Sequence, residues 1–209
     1  MSVLNKIAYL QNRRDEVPNQ ELARELVGAR NSAGVREIAE NLWNKDQNIQ
    51  SDCIKVLYEI GYQDPALIAD YVSDFLKLLK SRHNRLVWGG MIALSTIGAL
   101  KPDEIFQQYD EIRRVMETGS IITMDNGVKT LALVASKNVS YNREIFPFLL
   151  DHLATCRPKD VPQHAEKTLP TVNSSNKADF IKVLEKRTED MSGSQVTRVK
   201  RVIKDAQKR

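Results

Sequence analysis

Few residues of this chain are suited to chemistry by type and spacing. His152 and Cys156 are four residues apart, which puts two potential metal ligands on one face of a helix. A structural zinc site needs four ligands, and nothing else with suitable spacing lies nearby. His83 and His164 have no partner motif either. The sequence therefore favours ordinary packing for these side chains and predicts no metal site.

The familiar catalytic motifs are missing from the sequence. It has no phosphate-binding loop, no G-x-S-x-G, no H-E-x-x-H and no dinucleotide fingerprint. Its two cysteines, Cys53 and Cys156, lie far apart and form no CxxC pair. We therefore expect a non-enzymatic protein without a cofactor or a small-molecule substrate.

Four stretches repeat one pattern at a constant step of 37 residues, and they begin at Cys53, Gly90, Gly127 and His164. Such a period is typical of stacked helical hairpins, because one hairpin cannot bury its apolar face without a neighbour. Cys53 shares its position with two glycines, which predicts a small packing residue. Equivalent leucines in the first three stretches are Leu57, Leu94 and Leu131.

A second apolar stripe repeats in the same register, one helix earlier. Its positions are three and four residues apart, as needed for an α-helix to bury one face. The sequence therefore predicts two helices per unit. The equivalent triplets are Val35, Ile38 and Leu42; Val72, Phe75 and Leu79; Tyr109, Ile112 and Met116; and Phe146, Leu149 and Leu153.

Together the stripes predict an all-α fold, a right-handed α-solenoid of about five two-helix repeats in one domain over residues 1–209. Residues 1–30 are expected to form a capping helical hairpin, 31–172 four repeats, and 173–209 a degenerate, basic capping repeat. Gly61 and Gly98 are expected to end second helices. The predicted units are 31–62, 65–98, 102–135, 140–172 and 176–207.

Composition excludes several classes of protein. Hydrophobic residues make up 42% and charged residues 28%, which is typical of an ordered domain and not of a disordered chain. The longest uncharged run, Leu86 to Leu100, is shorter than the roughly 20 residues that span a bilayer. The amino terminus shows no secretory signal. We expect a cytoplasmic protein that does not bind membranes.

The unit resembles the HEAT repeat family and its armadillo-type relatives, because a proline opens the first helix and an Ala/Leu-rich second helix ends in Ile-Gly. The segment from Asp46 to Gly61 is similar to the family's Asp-x-x-Val-Arg-x-x-Ala-x-x-Ala-Leu-Gly, with Gln50 at the arginine position. In the next unit His83 and Val87 stand at the Asp and Arg positions. The resemblance implies a scaffold whose inner, concave surface, lined by second helices, holds another macromolecule.

The second helices carry polar residues of mixed sign that we expect to face outward, including Asp52, Lys55 and Glu59. Such a stripe fits a solvated face or a protein-binding groove, and Arg85 and Trp88 would be the anchors of a groove. The Gly89-Gly90 pair beside Trp88 favours tight helix packing over close approach of a ligand. Candidate protein-binding residues on the concave face are Arg85, Trp88, Asn126, Lys129 and Gln163.

Two features leave nucleic acid open as an alternative partner. Trp88 and Asp125 are 37 residues apart, and an aromatic beside a carboxylate invites comparison with HEAT-like DNA glycosylases. Residues 1–175 have a net charge of −1, whereas residues 176–209 have +5. Basic clusters attract phosphate backbones, although a helical cap is the simpler interpretation. Candidate nucleic-acid contacts are Arg198, Lys200, Arg201 and Lys204.

Overall fold

The computed structural model describes residues 2–209, and every regular element in this range is helical. One-turn 3-10 segments, among them Leu4–Lys6 and Tyr9–Gln11, separate or extend the α-helices. The α-helices are α1 Val17–Gly28, α2 Ser32–Glu40, α3 Gln47–Gln63, α4 Val72–Leu78, α5 Asn84–Ile97, α6 Pro102–Phe106, α7 Tyr109–Thr118, α8 Ile121–Ala135, α9 Val139–Thr155, α10 Val161–Thr168, α11 Lys177–Arg187 and α12 Gly193–Gln207.

The helices pack in pairs within the predicted units. Helices α2 and α3 pack together, as do α4 and α5, α9 and α10, and α11 and α12. Helix α7 contacts α8 where Met116 lies against Gly127. The repeated leucines Leu57, Leu94 and Leu131 are fully buried. Both apolar stripes therefore do what their periodicity predicts: they bury one face of each helix.

The chain divides into two compact units, Met1–Thr130 and Leu131–Arg209. In the first unit α3 packs on both α1 and α5, so successive second helices are neighbours. In the second unit the same relation joins α10 to α12, and the first helices α9 and α11 also pack together. Each unit is therefore built from adjacent hairpins. A single solenoid domain over residues 1–209 stays a prediction.

First helices are more broken than the periodicity predicts. Before α4 the chain forms two 3-10 turns, Pro65–Leu67 and Ala69–Tyr71, and the Asp64 side chain accepts a hydrogen bond from the Ala66 N–H at the start of the first. In the next repeat the short helix α6 precedes α7. The first of these repeats therefore contains two 3-10 turns and two α-helices, and the second contains three α-helices, where two helices were predicted for each.

Glycines on the second helices allow close packing between helices. A Cβ atom on Gly89 would lie 2.8 Å from Ile54 Cγ1 of α3, so these helices approach too closely for a side chain there. This confirms the packing interpretation of the Gly89-Gly90 pair. Cys53 is fully buried, which confirms its role as a small packing residue.

The prediction that Gly61 ends its helix is wrong, because α3 continues to Gln63. Gly61 is needed for close packing instead: a Cβ atom there would collide with the Thr96 hydroxyl of α5. Gly98 does follow the last residue of α5, but its φ of −56° is that of a right-handed helix. Neither position uses the left-handed conformation that favours glycine at a helix end.

A buried polar network holds the amino-terminal turns against α1 and α3. Asp52 accepts hydrogen bonds from the Tyr9 N–H at 2.7 Å and from the Asn19 side-chain amide at 2.9 Å. Asn19 is fully buried, and its carbonyl oxygen accepts the Ala8 N–H at 2.9 Å. The prediction that Asp52 faces outward is therefore wrong, because residues 2–16 fold over it as two 3-10 turns where a helical hairpin was expected.

The core of the second unit is centred on Phe180 of α11, which is fully buried and packs against apolar residues of α9, α10 and α12. Arg187, at the end of the same helix, is also buried. Its guanidinium donates to the backbone carbonyls of Leu153 and Cys156, both at 2.7 Å. This arginine satisfies free carbonyls at the carboxyl end of α9, where a positive charge is favourable.

Candidate protein-binding face and a histidine–cysteine cluster

Lys55 on α3 is the centre of an ion-pair network in the first unit. Its side chain is 7% exposed, and Nζ lies 2.7 Å from Glu16 Oε2 and 2.8 Å from Glu59 Oε1. The prediction that Lys55 faces solvent is wrong, because its stem is buried and only its carboxylate partners reach the surface. Glu16 also pairs with Arg85 of α5 at 3.2 Å. One carboxylate therefore links two successive second helices.

The electrostatics of this network follow from burial and pairing. Burial alone would lower the pKa of Lys55, but its hydrogen bonds to Glu16 and Glu59 outweigh that effect and raise the pKa above its ordinary value. Burial raises the pKa of Tyr58 to about 12. The lysine is therefore charged and the tyrosine neutral at physiological pH.

Three aromatic side chains lie beside the network. Tyr58 is mostly buried and contacts Tyr62 edge-on, with ring centroids 5.9 Å apart. Trp88 of α5 lies 6.3 Å from the Tyr58 ring, and the Arg85 guanidinium lies 5.7 Å from the Trp88 ring. Tyr62 is 53% exposed and Trp88 is half-buried. The aromatic cluster therefore packs on the buried Tyr58 ring and is open to solvent at Tyr62 and Trp88.

Asn126 continues the polar surface on α8, but its side chain is already engaged. Its amide donates to the Ile122 carbonyl at 2.9 Å, and its carbonyl oxygen accepts from the Ser95 hydroxyl of α5 at 3.2 Å. Asn126 therefore joins α8 to α5 within the first unit. This predicted binding residue has less capacity for a ligand than its residue type suggests.

Lys129 lies one helical turn beyond Asn126 and is half-buried. It occupies the position of Lys55 two repeats later, 74 residues or twice 37 further along. Within residues 2–209 no carboxylate pairs with it as Glu16 and Glu59 pair with Lys55. Desolvation lowers the pKa of Lys129. Its ammonium group therefore has a partly desolvated charge and no counter-ion.

The other predicted site residues belong to the second unit. Gln163 is exposed on α10, and the four basic residues of α12 are exposed around its buried apolar face. Arg198 is engaged, since it forms two hydrogen bonds to Glu166 at 3.0 and 2.6 Å. Lys200, Arg201 and Lys204 are exposed. Their role in nucleic-acid contact stays a prediction.

The glycosylase comparison depends on a base-holding aromatic next to an aspartate. Asp125 and Trp88 are both half-buried residues of the first unit. Trp88, however, already contacts Tyr58 and Arg85 through its ring. These contacts do not test the comparison, and a glycosylase-like role of the pair stays a prediction.

A second constellation lies between α9 and α10, and the sequence analysis missed its third member. His152 Nε2 and His164 Nδ1 are 2.8 Å apart, and the ring centroids are 4.8 Å apart. The Cys156 sulfur is near both, so that the three candidate ligand atoms lie within 4.8 Å of one another. His164 is eight residues beyond Cys156 on the next helix. Its spacing gave no signal, because only the turn between α9 and α10 brings it back.

Comparisons with known proteins give a likeness in structure and none in sequence. No protein-family model matches the chain, and no curated protein sequence matches it. A crystal structure of an engineered protein matches with a TM-score of 0.69 at 16% identity, covering 100% of this chain and 98% of that one. A designed armadillo repeat protein in complex with the peptide (KR)4 gives a TM-score of 0.70 at 12% identity, covering 90% and 86%.

Computationally designed armadillo repeat proteins for modular peptide recognition match with a TM-score of 0.68 at 12% identity, covering 88% of this chain and 86% of theirs. The chain has a HEAT/armadillo-like helical-repeat fold. The predicted all-α solenoid class is confirmed. Repeats with three helical segments, such as α6, α7 and α8, also fit this armadillo-like fold, whose units contain two or three helices.

None of the helices in residues 2–209 combines the length and the apolar character needed to cross a bilayer.

Proposed function

We propose that this chain is a non-enzymatic protein-interaction scaffold, or adaptor, that binds an extended segment of a partner protein. The segment would lie across the second helices of the first unit, α3, α5 and the part of α8 up to Thr130. The observation that carries the proposal is the open aromatic cluster of Tyr62 and Trp88, held in place by the ion pairs of Lys55 and Arg85. Designed armadillo repeat proteins of the same fold bind peptides, which supports a peptide-like ligand.

The proposed face has the anatomy of a protein interface. Aromatic and arginine side chains supply most of the binding energy at such surfaces. The aromatic rings do so because they bury a large area with few rotatable bonds. Arg85 is held by its ion pair with Glu16 and lies 5.7 Å from the Trp88 ring, so part of its conformational entropy is already lost before binding. Lys129 has no carboxylate partner among residues 2–209 and would form an ion pair with a carboxylate of the partner protein. The mixed charge of the face favours a protein over a nucleic acid.

Affinity purification with the full chain as bait tests this proposal. Captured proteins are identified by mass spectrometry with and without nuclease treatment. We expect a protein partner whose capture is insensitive to nuclease and is lost with Trp88→Ala or Arg85→Glu. Loss of a central aromatic or arginine anchor costs about 2 kcal/mol or more, roughly a 30-fold increase in Kd.

Trp43→Ala is the matched control, because Trp43 is the other tryptophan of the chain. It is 51% exposed and lies at the end of a first helix, where its N–H is 3.3 Å from Asp74 Oδ1. Trp43→Ala should retain the partner. Nuclease-sensitive capture that is abolished by a Lys200→Glu and Arg201→Glu double substitution would instead support the basic face of α12.

Lys129 provides a second, independent prediction. Lys129→Met removes a half-desolvated charge while keeping the apolar stem, so the free energy of unfolding should rise by about 0.5 kcal/mol, after allowance for the exposed half of the side chain. Binding of the partner should weaken at the same time, because a carboxylate contact is lost. Urea unfolding and a titration with the captured partner measure the two effects.

The pH dependence of Lys129 can be stated with its sign. Its folded pKa is below the unfolded value, so the unfolded state binds more protons and wild-type stability rises with pH through that interval. Lys129→Met should remove that rise. Lys45→Met, at an exposed lysine of the same unit, should change neither stability nor binding. Destabilisation by Lys129→Met, or unchanged binding, would contradict this role.

A further inference from the structure

We propose that His152, Cys156 and His164 form a binding site for a transition-metal ion of the Zn²⁺ class, with one coordination position open. The three residues come from the two helices of one hairpin, α9 and α10, in the second unit. This site is separate from the proposed protein-binding face, and neither proposal depends on the other.

The backbone already positions the three ligands. His152 is in the last turn of α9, and its carbonyl accepts the Cys156 N–H at 2.8 Å where the helix ends. This places both side chains on one face at the carboxyl end of α9. His164 is in the middle of α10 and is 2% exposed. A buried imidazole on α10 therefore faces an imidazole and a thiol on α9.

A tetrahedral ion would require small movements of side chains only. Zinc binds nitrogen at about 2.0–2.1 Å and sulfur at about 2.3 Å, so two nitrogen ligands are about 3.3 Å apart. The histidine nitrogens are 2.8 Å apart and would separate by about half an ångström. The sulfur must move closer to the histidines. Its 3.9 Å contact with the Leu153 carbonyl is weak and would oppose this movement only slightly.

The donor set selects the class of metal. Two imidazole nitrogens and one thiolate suit Zn²⁺ and similar ions of borderline softness, whereas Ca²⁺ and Mg²⁺ prefer oxygen ligands. Three protein ligands with a fourth position for water are the arrangement of zinc sites that remain open. Cys156 also lines a cleft of about 620 Å³. The cleft therefore gives solvent a route to the sulfur ligand.

The surroundings are compatible with a metal-bound thiolate. Burial raises the pKa of the Cys156 thiol, and Arg187 opposes that effect by lowering it. A bound cation displaces the thiol proton, which is the usual consequence of metal binding to cysteine. Arg187 is anchored to the Leu153 and Cys156 carbonyls, so the turn that presents the sulfur is fixed before the metal binds.

Titration of the full, chelator-treated chain with Co²⁺ and Zn²⁺ tests the proposal. We expect one ion per chain, a thiolate-to-Co²⁺ charge-transfer band and the visible spectrum of tetrahedral Co²⁺. Cys156→Ser and His164→Gln should each abolish that band. They should weaken Zn²⁺ binding by more than about 10-fold, the lower limit for loss of even an outer-shell partner.

The chain offers matched controls, since it contains three histidines and two cysteines. His83→Gln and Cys53→Ala remove the other histidine and the other cysteine and should leave the titration unchanged. Should His164→Gln fail to fold, the half-buried His152 and Cys156 give the same test through His152→Gln and Cys156→Ser. Absence of the thiolate band, or Zn²⁺ affinity unchanged in these variants, would show a hydrogen-bonded histidine pair only and overturn the proposal.

Discussion

Replacing Phe180 with alanine is expected to lower the free energy of unfolding of the second unit by about 4 kcal/mol. Phe180 is fully buried and packs in one apolar cluster with residues of α9, α10 and α12. Its ring lies 6.5 Å from that of Phe146, and such an aromatic pair adds about 1 kcal/mol to the area that is buried. Alanine would leave a cavity that three helices border, and those helices cannot all move inward together.

Urea unfolding followed by circular dichroism measures this loss. Both tryptophans, Trp43 and Trp88, lie in the first unit, so their fluorescence follows that unit separately. Phe180→Leu should lower the free energy of unfolding less than Phe180→Ala does, because leucine fills part of the cavity. Val139→Ala removes an apolar side chain that is 70% exposed and should stay within about 0.5 kcal/mol of the wild type. A loss below 1.5 kcal/mol for Phe180→Ala would contradict the packing described here.

Asp52→Ala is expected to cost about 3 kcal/mol, the second-largest effect. The change would leave the Tyr9 N–H and one Asn19 amide hydrogen without acceptors, and each buried unsatisfied donor costs roughly 1–3 kcal/mol. The amino-terminal turns should also detach from α3, because Asp52 joins them to that helix. Faster proteolysis near residues 9–16 would report this detachment.

A double-mutant cycle separates the network from a general loss of packing. Asp52→Ala and Asn19→Ala remove members of the same network. The double variant should therefore lose less free energy of unfolding than the two single variants lose together. Glu40→Ala removes an exposed carboxylate of α2 and should have almost no effect. Strictly additive losses from Asp52 and Asn19 would show that the two side chains act independently.

Periodicity was sufficient to predict most of the fold. The second helices and the buried leucines such as Leu57 depend on a stripe that any burying helix must have. The division of the first helices into shorter segments could not be predicted this way. That division depends on how the Asp64 side chain and the adjacent 3-10 turns form hydrogen bonds with the backbone N–H groups. A hydrophobic stripe does not contain that information.

The candidate sites were less predictable than the fold. Arg85 and Trp88 were predicted as anchors because aromatic and arginine side chains are enriched at the centres of protein interfaces, and that role stays a prediction. The prediction that Lys55 and Asp52 face solvent was wrong, because a charged side chain can be buried when a residue distant in the sequence supplies its partner. The partners of Lys55 include Glu16, which is 39 residues away in the sequence.

The sequence by itself determined that this chain is a series of helical hairpins, because a 37-residue period with helical stripes leaves each hairpin dependent on its neighbours for burial. Only the tertiary structure decided which polar side chains meet. It brought His164 against His152 and Cys156, and Glu16 between Lys55 and Arg85. Apolar burial needs only the right kind of residue at each position, whereas a hydrogen bond or a metal site needs particular atoms at particular distances, and these are fixed when helices pack.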